Sequence, residues 1–367
     1  MRIKKTGFDS LKTGKLSNGC KQCVKGEKSV FFITGLCPRR CTYCPISDAK
    51  KDKDVTYINE WEIKNEKDVI SEIKLCGSKG VGITGGDPLV TIQRTADYIK
   101  LLKDTFGKKF HIHLYTSLDL VNKDYLNKLY EAGLDEIRFH PDFNKETQWE
   151  RLKLASIYDW KIVIEIPAIP KDLEKIKKLL DKTSKYIDYL NLNELEVADN
   201  SFSKTGKEYE TIDDVSYAVK GSKETALEIM EYANKLGISN VHFCTAKLKD
   251  SHQLAKRIKK RAKNVKLKTD KLTREGMLIR GAVYFKELQH KKVTKSDIEK
   301  AKKIYDLMVS LGVKEKKLFL DEDFARVITT PKILKKHLDE LKKKKYKAYI
   351  IEEYPTKDAF PIEIEEL

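Results

Sequence analysis

Short apolar runs alternate with amphipathic stretches along residues 30–245, and this alternation limits the folds open to the chain. The runs have the length of buried strands and lie at Val30–Thr34, Val81–Thr84, Phe110–Tyr115, Glu136–Phe139, Ile162–Ile166, Tyr189–Leu195 and Val241–Thr245. Strand–helix alternation at this spacing predicts right-handed βαβ units and a parallel sheet. Six or more such units are expected to curl into a partial or full (β/α) barrel, an α/β fold whose chemistry lies at the C-terminal ends of the strands.

Three cysteines, Cys37, Cys41 and Cys44, follow the first strand within a short loop. Three thiolates at this spacing can wrap one face of a small metal cluster. Iron–sulfur clusters usually take four cysteines, so a loop that supplies three leaves one iron open to a substrate or cofactor. The alternative is a zinc site, which normally uses four ligands in a closed tetrahedron. The spacing favours the iron–sulfur cluster.

The whole loop, Gly-Leu-Cys-Pro-Arg-Arg-Cys-Thr-Tyr-Cys-Pro, has Tyr43 just before its last cysteine. It resembles the cysteine loop of the radical S-adenosylmethionine (radical SAM) enzymes. The resemblance implies that Cys37, Cys41 and Cys44 hold a [4Fe-4S] cluster, with Tyr43 beside the bound SAM. In that family the reduced cluster splits SAM into methionine and a 5′-deoxyadenosyl radical. A ferredoxin- or flavodoxin-like electron donor is then expected as a partner.

A second motif, Thr84-Gly85-Gly86-Asp87-Pro88-Leu89, follows the second strand. Two glycines let a backbone approach a ligand closely, although the same residues are also typical of a tight turn. The motif resembles the Gly-Gly-Glu motif of radical SAM enzymes, which binds the amino group of SAM. The resemblance implies that Gly85, Gly86 and Asp87 contact SAM. Together, the two motifs are similar to those of archaeal proteins related to pyruvate formate-lyase activating enzyme.

Polar side chains near the ends of later strands are further candidates for contacts with SAM or substrate. Thr116 and Ser117 end the third strand, and their hydroxyls are suited to the ribose or carboxylate of SAM. Glu165 lies inside an otherwise apolar run, where a carboxylate needs a partner or a ligand. Asn193 lies near the end of the sixth strand. The long loop at 197–222 is expected to act as a lid.

A second cysteine pair, Cys20 and Cys23, precedes the first strand and is flanked by glycines. Cys244 ends the seventh strand. We expect these three cysteines to ligate a second metal centre, either another iron–sulfur cluster or zinc. The alternative for Cys244 is a buried free cysteine, which is common in proteins.

Composition limits where the protein works. No run of about 18 apolar residues occurs, so no membrane span is expected, and the first residues lack the apolar segment of a signal peptide. Cysteines clustered in a chain without a secretion signal indicate metal binding in a reducing cytoplasm. We therefore expect a cytoplasmic protein with no membrane partner.

The chain has 367 residues and a formal net charge of +17, part of which is concentrated between Lys247 and Glu275. Such a basic stretch can follow a phosphate backbone or form a solvated helix face. The strand and helix order after it predicts a ferredoxin-like βαββαβ domain. The predicted divisions are a Cys-x2-Cys segment (1–29), a radical SAM barrel (30–250), a basic linker or helix (251–275) and a C-terminal α+β domain (276–367).

Three functions remain open on the sequence. The first is a radical SAM enzyme that modifies RNA or a nucleotide-like substrate, which the basic stretch and the added domain favour. The second is an activase, or another peptide-modifying radical SAM enzyme, that acts on a partner protein. The third is a non-enzymatic nucleic-acid-binding protein stabilised by zinc or a cluster. The oligomeric state is left open.

Overall fold

The structure is a computed structural model that describes residues 1–286 and 293–367. In these ranges the chain forms two compact units, residues 1–257 and 258–367. The strands are β1 (Lys4–Lys5), β2 (Leu11–Thr13), β3 (Lys28–Phe32), β4 (Tyr57–Ile58), β5 (Trp61–Glu62), β6 (Gly80–Thr84), β7 (His111–Thr116), β8 (Glu136–Phe139), β9 (Lys161–Ala168), β10 (Tyr189–Glu194), β11 (Val241–Cys244), β12 (Lys271–Leu272), β13 (Leu278–Tyr284), β14 (Phe319–Asp321), β15 (Arg326–Thr329), β16 (Lys347–Glu353) and β17 (Pro361–Glu366).

Helices follow most of the strands. They are α1 (Asn18–Cys23), α2 (Glu66–Leu75), α3 (Ile92–Phe106), α4 (Lys123–Glu131), α5 (Leu152–Ala155), α6 (Leu173–Thr183), α7 (Thr205–Glu208), α8 (Ser222–Lys235), α9 (Ala246–Leu248), α10 (Ala255–Val265), α11 (Lys295–Ser310), α12 (Pro331–Lys336) and α13 (Leu338–Lys343). A π-helical turn, Lys249–Leu254, separates α9 from α10. Within the described ranges, none of the helices is long and apolar enough to cross a membrane.

Seven parallel strands form the centre of the first unit, in the spatial order β11-β10-β9-β8-β7-β6-β3. The antiparallel pairs β1–β2 and β4–β5 extend the two edges, with β2 beside β11 and β4 beside β3. Among the residues that the structure describes, no ladder joins β11 to β3. The sheet is therefore of the partial-barrel type, and the predicted (β/α) fold is confirmed.

The two faces of this sheet differ in polarity because side chains alternate along each strand. One face packs against the helices in a single apolar core, to which the strands contribute residues such as Ile112, Leu114, Ile137, Phe139, Ile164, Leu190 and Leu192. The residues between them point to the opposite face, and most are polar: His111, His113, Glu136, Arg138, Glu165, Asn191 and Asn193. The inner face of the partial barrel is thus lined with hydrogen-bonding and charged groups.

Helix α1 lies against the inner face near the start of the strands. Its N-terminal residues bind Glu136, the first residue of β8: Ser17 Oγ donates to Glu136 Oε1 at 3.0 Å and Gly19 N donates to Glu136 Oε2 at 3.3 Å. A Cβ atom on Gly19 would lie 2.3 Å from Arg138 Nη2. A larger residue here would have to displace the buried Arg138 side chain, so glycine allows α1 to pack this closely against the strands.

The second unit is an antiparallel sheet in the order β14-β15-β13-β16-β17, with β12 beside β13. Strands β13 to β16 with helices α11, α12 and α13 follow the βαββαβ order of the ferredoxin-like fold, which confirms the predicted α+β domain. The second helix of this order is divided into α12 and α13 at His337, which has a φ of −110°. Pro331 occupies the first turn of α12, as expected from its fixed φ.

Candidate active site

A cavity of about 590 Å³ lies at the C-terminal ends of the seven parallel strands. Residues at or soon after the end of each strand line it, in chain order Phe32, Thr84, Thr116, His140, Pro167, Asn193 and Lys249. One cavity that reaches all seven strand ends requires the sheet to curl around it. This is the position at which a parallel barrel places its chemistry.

Most of the residues predicted to form the site line this cavity. They are Cys37, Cys41, Cys44, Tyr43, Gly85, Gly86, Thr116, Ser117, Glu165 and Asn193. The other four predicted residues, Asp87, Cys20, Cys23 and Cys244, do not. The cavity therefore brings together the cysteine loop, the glycine pair and the polar ends of β7, β9 and β10.

The glycine pair is needed because the cysteine loop packs directly on it. Gly86 N donates to Thr34 O at 2.7 Å and Asp87 N donates to Leu36 O at 2.8 Å, so two strand-like hydrogen bonds join the segments. A Cβ atom on Gly86 would lie 2.2 Å from Leu36 O, and one on Gly85 would lie 2.4 Å from Thr34 O. The two predicted motifs are thus a single packed unit.

Asp87 is fully buried beneath this unit. Its carboxylate accepts hydrogen bonds from Thr116 Oγ1 at 2.7 Å, from Ser117 Oγ at 2.6 Å and N at 3.1 Å, and from Leu89 N at 3.0 Å. Burial raises the pKa of Asp87, while these donors oppose the rise. The carboxylate therefore holds the glycine motif against the end of β7. A direct contact between Asp87 and SAM stays a prediction.

Tyr43 connects the cysteine loop to the opposite side of the cavity. Its hydroxyl lies 2.9 Å from His140 Nε2, and His140 Nδ1 lies 2.9 Å from the Glu165 carbonyl oxygen. Burial lowers the pKa of His140 to about 4, so the imidazole is neutral near pH 7. A neutral imidazole whose Nδ1 donates to the carbonyl leaves Nε2 to accept from the Tyr43 hydroxyl.

Glu165 is held as an anion on the cavity wall. Arg138 Nη1 donates to its Oε2 at 2.6 Å, and the carboxamides of Asn191 and Asn193 donate at 2.9 and 3.1 Å. Burial by itself would raise the pKa of Glu165, but the Arg138 guanidinium and the two amides lower it overall. A fixed carboxylate facing a cavity is suited to accept hydrogen bonds from ligand hydroxyl or ammonium groups.

The Cys37 and Cys41 thiols are protonated at neutral pH when no metal is bound. Burial raises the pKa of Cys37 to about 11, and it also raises the pKa of Cys41. Thiolates are the form that binds iron. Metal binding at this loop therefore releases protons and becomes tighter as the pH rises.

The three loop cysteines face one cavity, as the thiolate ligands of a shared cluster would. Within residues 1–286 and 293–367, no three His, Cys, Asp or Glu side chains are arranged to hold one metal ion. In a [4Fe-4S] cluster each thiolate binds a different iron, so the sulfur atoms need to face one cavity rather than converge on a point. Cys37, Cys41 and Cys44 meet that requirement, since all three line the cavity.

The cysteines predicted to form a second centre lie elsewhere. Cys20 and Cys23 are on α1, and Cys20 Sγ accepts a hydrogen bond from Asn191 Nδ2 at 3.3 Å. Cys244 packs in a small apolar cluster with Val24. Burial raises the pKa of all three thiols. The second centre stays a prediction.

Several charged residues of the cavity wall are not among the predicted site residues, and two of them pair with each other. Lys249, in the π-helical turn, forms an ion pair with Glu196, and both line the cavity. Burial would lower the pKa of Lys249, but Glu196 raises it overall. Lys249 follows the last parallel strand by a few residues, so extending the strand-end rule past β11 would have found it.

Comparison with known proteins identifies the family. The radical SAM superfamily model matches residues 31–166. The candidate glycyl-radical enzyme activating enzyme of Methanocaldococcus jannaschii is 40% identical over 364 residues, which span 95% of this chain and 92% of the relative. The chain belongs to the radical SAM superfamily. It is therefore an enzyme whose cofactors are a [4Fe-4S] cluster and SAM, and the non-enzymatic alternative is wrong.

Further similarities of this radical SAM enzyme are shorter or more distant. PqqA peptide cyclase of Bradyrhizobium diazoefficiens is 31% identical over 108 residues, 29% of this chain and 26% of the relative. The structure of coproporphyrinogen III oxidase from Escherichia coli aligns with a TM-score of 0.38 at 16% identity, covering 63% of this chain and 58% of that one. The C-terminal residues 276–367 match a domain of unknown function, DUF8061.

Proposed function

We propose that this radical SAM enzyme is an activating enzyme that removes a hydrogen atom from a glycine of a partner protein. The observation that carries the proposal is the 40% identity, over almost the full length of both chains, to a candidate glycyl-radical enzyme activating enzyme. Nearly complete coverage means that the C-terminal unit is shared as well as the barrel. The partial similarity to a peptide cyclase supports a polypeptide substrate.

In this proposal the cysteine loop holds the cluster and the cavity holds SAM. Cys37, Cys41 and Cys44 would hold the [4Fe-4S] cluster at the wall of this cavity. The bound cofactors supply a reductively generated 5′-deoxyadenosyl radical, which abstracts hydrogen. Gly85 and Gly86 present their backbone at the cavity edge, and Glu165 offers a fixed carboxylate to ligand hydroxyl or ammonium groups.

A second cavity supports a polypeptide as the substrate. It has a volume of about 680 Å³ and shares Arg39, Cys41 and Tyr43 with the first. The two cavities also share Leu195, and the wall of the second includes the apolar side chains Phe143, Ile169 and Tyr209. Charged side chains line the rest of this wall, among them Asp142, Lys171 and Glu208. A cavity with both apolar and charged walls beside the cysteine loop can receive a segment of a partner protein and place it close to SAM.

RNA or a nucleotide-like molecule is the second candidate substrate. It rests on the basic stretch between Lys247 and Glu275, part of which forms helix α10. A Lys-rich protein can carry such a stretch as a solvated surface. The near full-length relative favours the partner protein over RNA.

An isotope-transfer experiment distinguishes the two substrates. The reconstituted enzyme, SAM and a strong reductant are incubated without oxygen with one of two probes from the source cells. The probes are soluble protein labelled with α-deuterated glycine and total RNA labelled with deuterium in its ribose and bases. We expect deuterium in the 5′-deoxyadenosine only with the protein probe, accompanied by an organic radical signal in the EPR spectrum.

The Cys41→Ala variant is the control, because it lacks one cluster ligand and should form no 5′-deoxyadenosine with either probe. Deuterium transfer from RNA and not from protein would overturn the proposal in favour of the RNA-modifying enzyme. Deuterium transfer from protein without any glycyl radical would indicate a different peptide modification.

A further inference from the structure

The loop at 197–221 contacts the cysteine loop directly. Asn200 Nδ2 donates to Cys44 O at 2.9 Å and to Ile46 O at 3.1 Å. Lys204 N donates to Thr42 O at 2.7 Å. Three carbonyl groups that surround the third cysteine are therefore fixed from a segment more than 150 positions further along the chain.

The two halves of the cysteine loop are held from different sides. The first half, around Gly35 and Leu36, is bonded to the glycine motif and to the returning chain at Asp52 and Lys53. The second half, which carries Cys44, is bonded to residues 200–204. The position of Cys44 relative to Cys37 thus depends on a contact outside both recognised motifs.

The Asn200 side chain is itself fixed in orientation. Its Oδ1 accepts a hydrogen bond from Ser203 N at 2.8 Å, which leaves both Nδ2 hydrogens for the carbonyl groups of Cys44 and Ile46. A carboxamide with one acceptor and two donors satisfies all three bonds at once. Neither aspartate nor alanine can replace it, because aspartate keeps the acceptor alone and alanine keeps nothing.

We propose that Asn200 is a positioning residue for the [4Fe-4S] cluster, which holds the Cys44 segment of the loop in the conformation that binds iron. Residues 197–221 therefore act as a brace for the cysteine loop, where the sequence suggested a lid. The role of Asn200 does not depend on which molecule receives the radical. A failure of the proposed function would therefore leave this role unaffected.

Trypsin cleavage of the metal-free protein tests this brace without any catalytic readout. The cysteine loop contains Arg40, whose side chain is 67% exposed, and the chain just after the loop carries Lys50, Lys51 and Lys53. Native-state cleavage reports local opening. Loss of two hydrogen bonds should speed cleavage within residues 39–53 about tenfold, in both Asn200→Ala and Asn200→Asp, while the overall unfolding temperature changes little.

The matched control is Asn127→Ala, which removes a carboxamide that pairs with Glu131 on the exposed side of α4. After reconstitution, both Asn200 variants should lose iron to a chelator faster than the wild type and the control. Their EPR signals should respond less to SAM. Wild-type cleavage and iron retention in Asn200→Ala would overturn the proposal. Wild-type behaviour of Asn200→Asp alone would also overturn it, since the bond to Ser203 would then be the one that matters.

Discussion

Ser117 holds Asp87 through two hydrogen bonds, from its hydroxyl at 2.6 Å and from its backbone N–H at 3.1 Å. The end of β7 is thereby tied to the glycine motif, which in turn packs on the cysteine loop. The acidic residue of the motif stabilises the site from beneath. These hydrogen bonds should therefore stabilise the folded protein even before any cofactor binds.

The Asp87→Ala variant should destabilise the metal-free protein. It leaves the hydroxyls of Thr116 and Ser117 and two backbone N–H groups buried without their acceptor. We expect the free energy of unfolding to fall by roughly 2–4 kcal/mol, measured by denaturant titration. Asp172→Ala, which breaks a surface pair with Lys175, is the control. Unchanged stability of the metal-free Asp87→Ala protein would mean that Asp87 acts only on the ligand.

The Gly86→Ala variant should separate the glycine motif from the cysteine loop. The new Cβ atom would lie 2.2 Å from Leu36 O and 2.7 Å from Gly35 O, so backbone has to move. We expect lower iron content after reconstitution and weaker SAM binding, measured by iron assay and by equilibrium dialysis. Gly7→Ala is the matched control, because nothing lies within 4 Å of its added Cβ. Equal iron contents in the two variants would contradict this account.

The Arg138→Met variant tests the buried charge network of the inner face. Arg138 pairs with both Glu136 and Glu165, and its removal takes the directly bonded guanidinium from two buried carboxylates. Breaking a buried pair in this way costs about 3–5 kcal/mol. Arg40→Met, which breaks a surface pair with Asp52, should cost far less. Similar denaturation midpoints for the two variants would show that the network contributes little to stability.

Lys28 makes the stability depend on pH. The residue is 4% exposed, its Nζ lies 2.7 Å from His111 Nδ1, and burial lowers its pKa to about 8. Between about pH 8 and pH 10.5 the unfolded chain keeps this proton while the folded chain has lost it. The free energy of unfolding therefore increases as the pH rises through this range.

The Lys28→Met variant lacks that gain. The free energy of unfolding of the wild type, minus that of Lys28→Met, should therefore increase by about 3 kcal/mol from pH 7.5 to pH 10.5. Denaturant titrations of both proteins at several pH values measure it. A difference that stays constant with pH would show that the Lys28 ammonium is not penalised by burial.

Sequence patterns located the residues whose placement depends mainly on nearby positions in the chain. The strand–helix alternation predicted the parallel strands, and the strand-end rule found Thr116, Ser117, Glu165 and Asn193, all of which line the cavity. Cysteine spacing located the loop with Cys37, Cys41 and Cys44. Each of these inferences depends on neighbours within one βα unit.

The residues that sequence patterns missed act over long separations. Asn200 is one of many polar loop residues, and only the fold brings it to the carbonyl groups of Cys44 and Ile46. The burial of Asp87 depends on the packing of β7 against the glycine motif, which the residue type alone does not reveal. A residue larger than Gly19 would have to displace Arg138, a residue of a distant strand.

The most direct test of the central claim is the iron and sulfide content of the anaerobically reconstituted protein, combined with EPR spectra of the reduced form with and without SAM. We expect about four irons per chain and a signal that shifts when SAM binds at the open iron. About seven or eight irons would add a second cluster, for which Cys20, Cys23 and Cys244 are the candidates. A protein without iron, or a Cys41→Ala variant that still cleaves SAM, would contradict the claim.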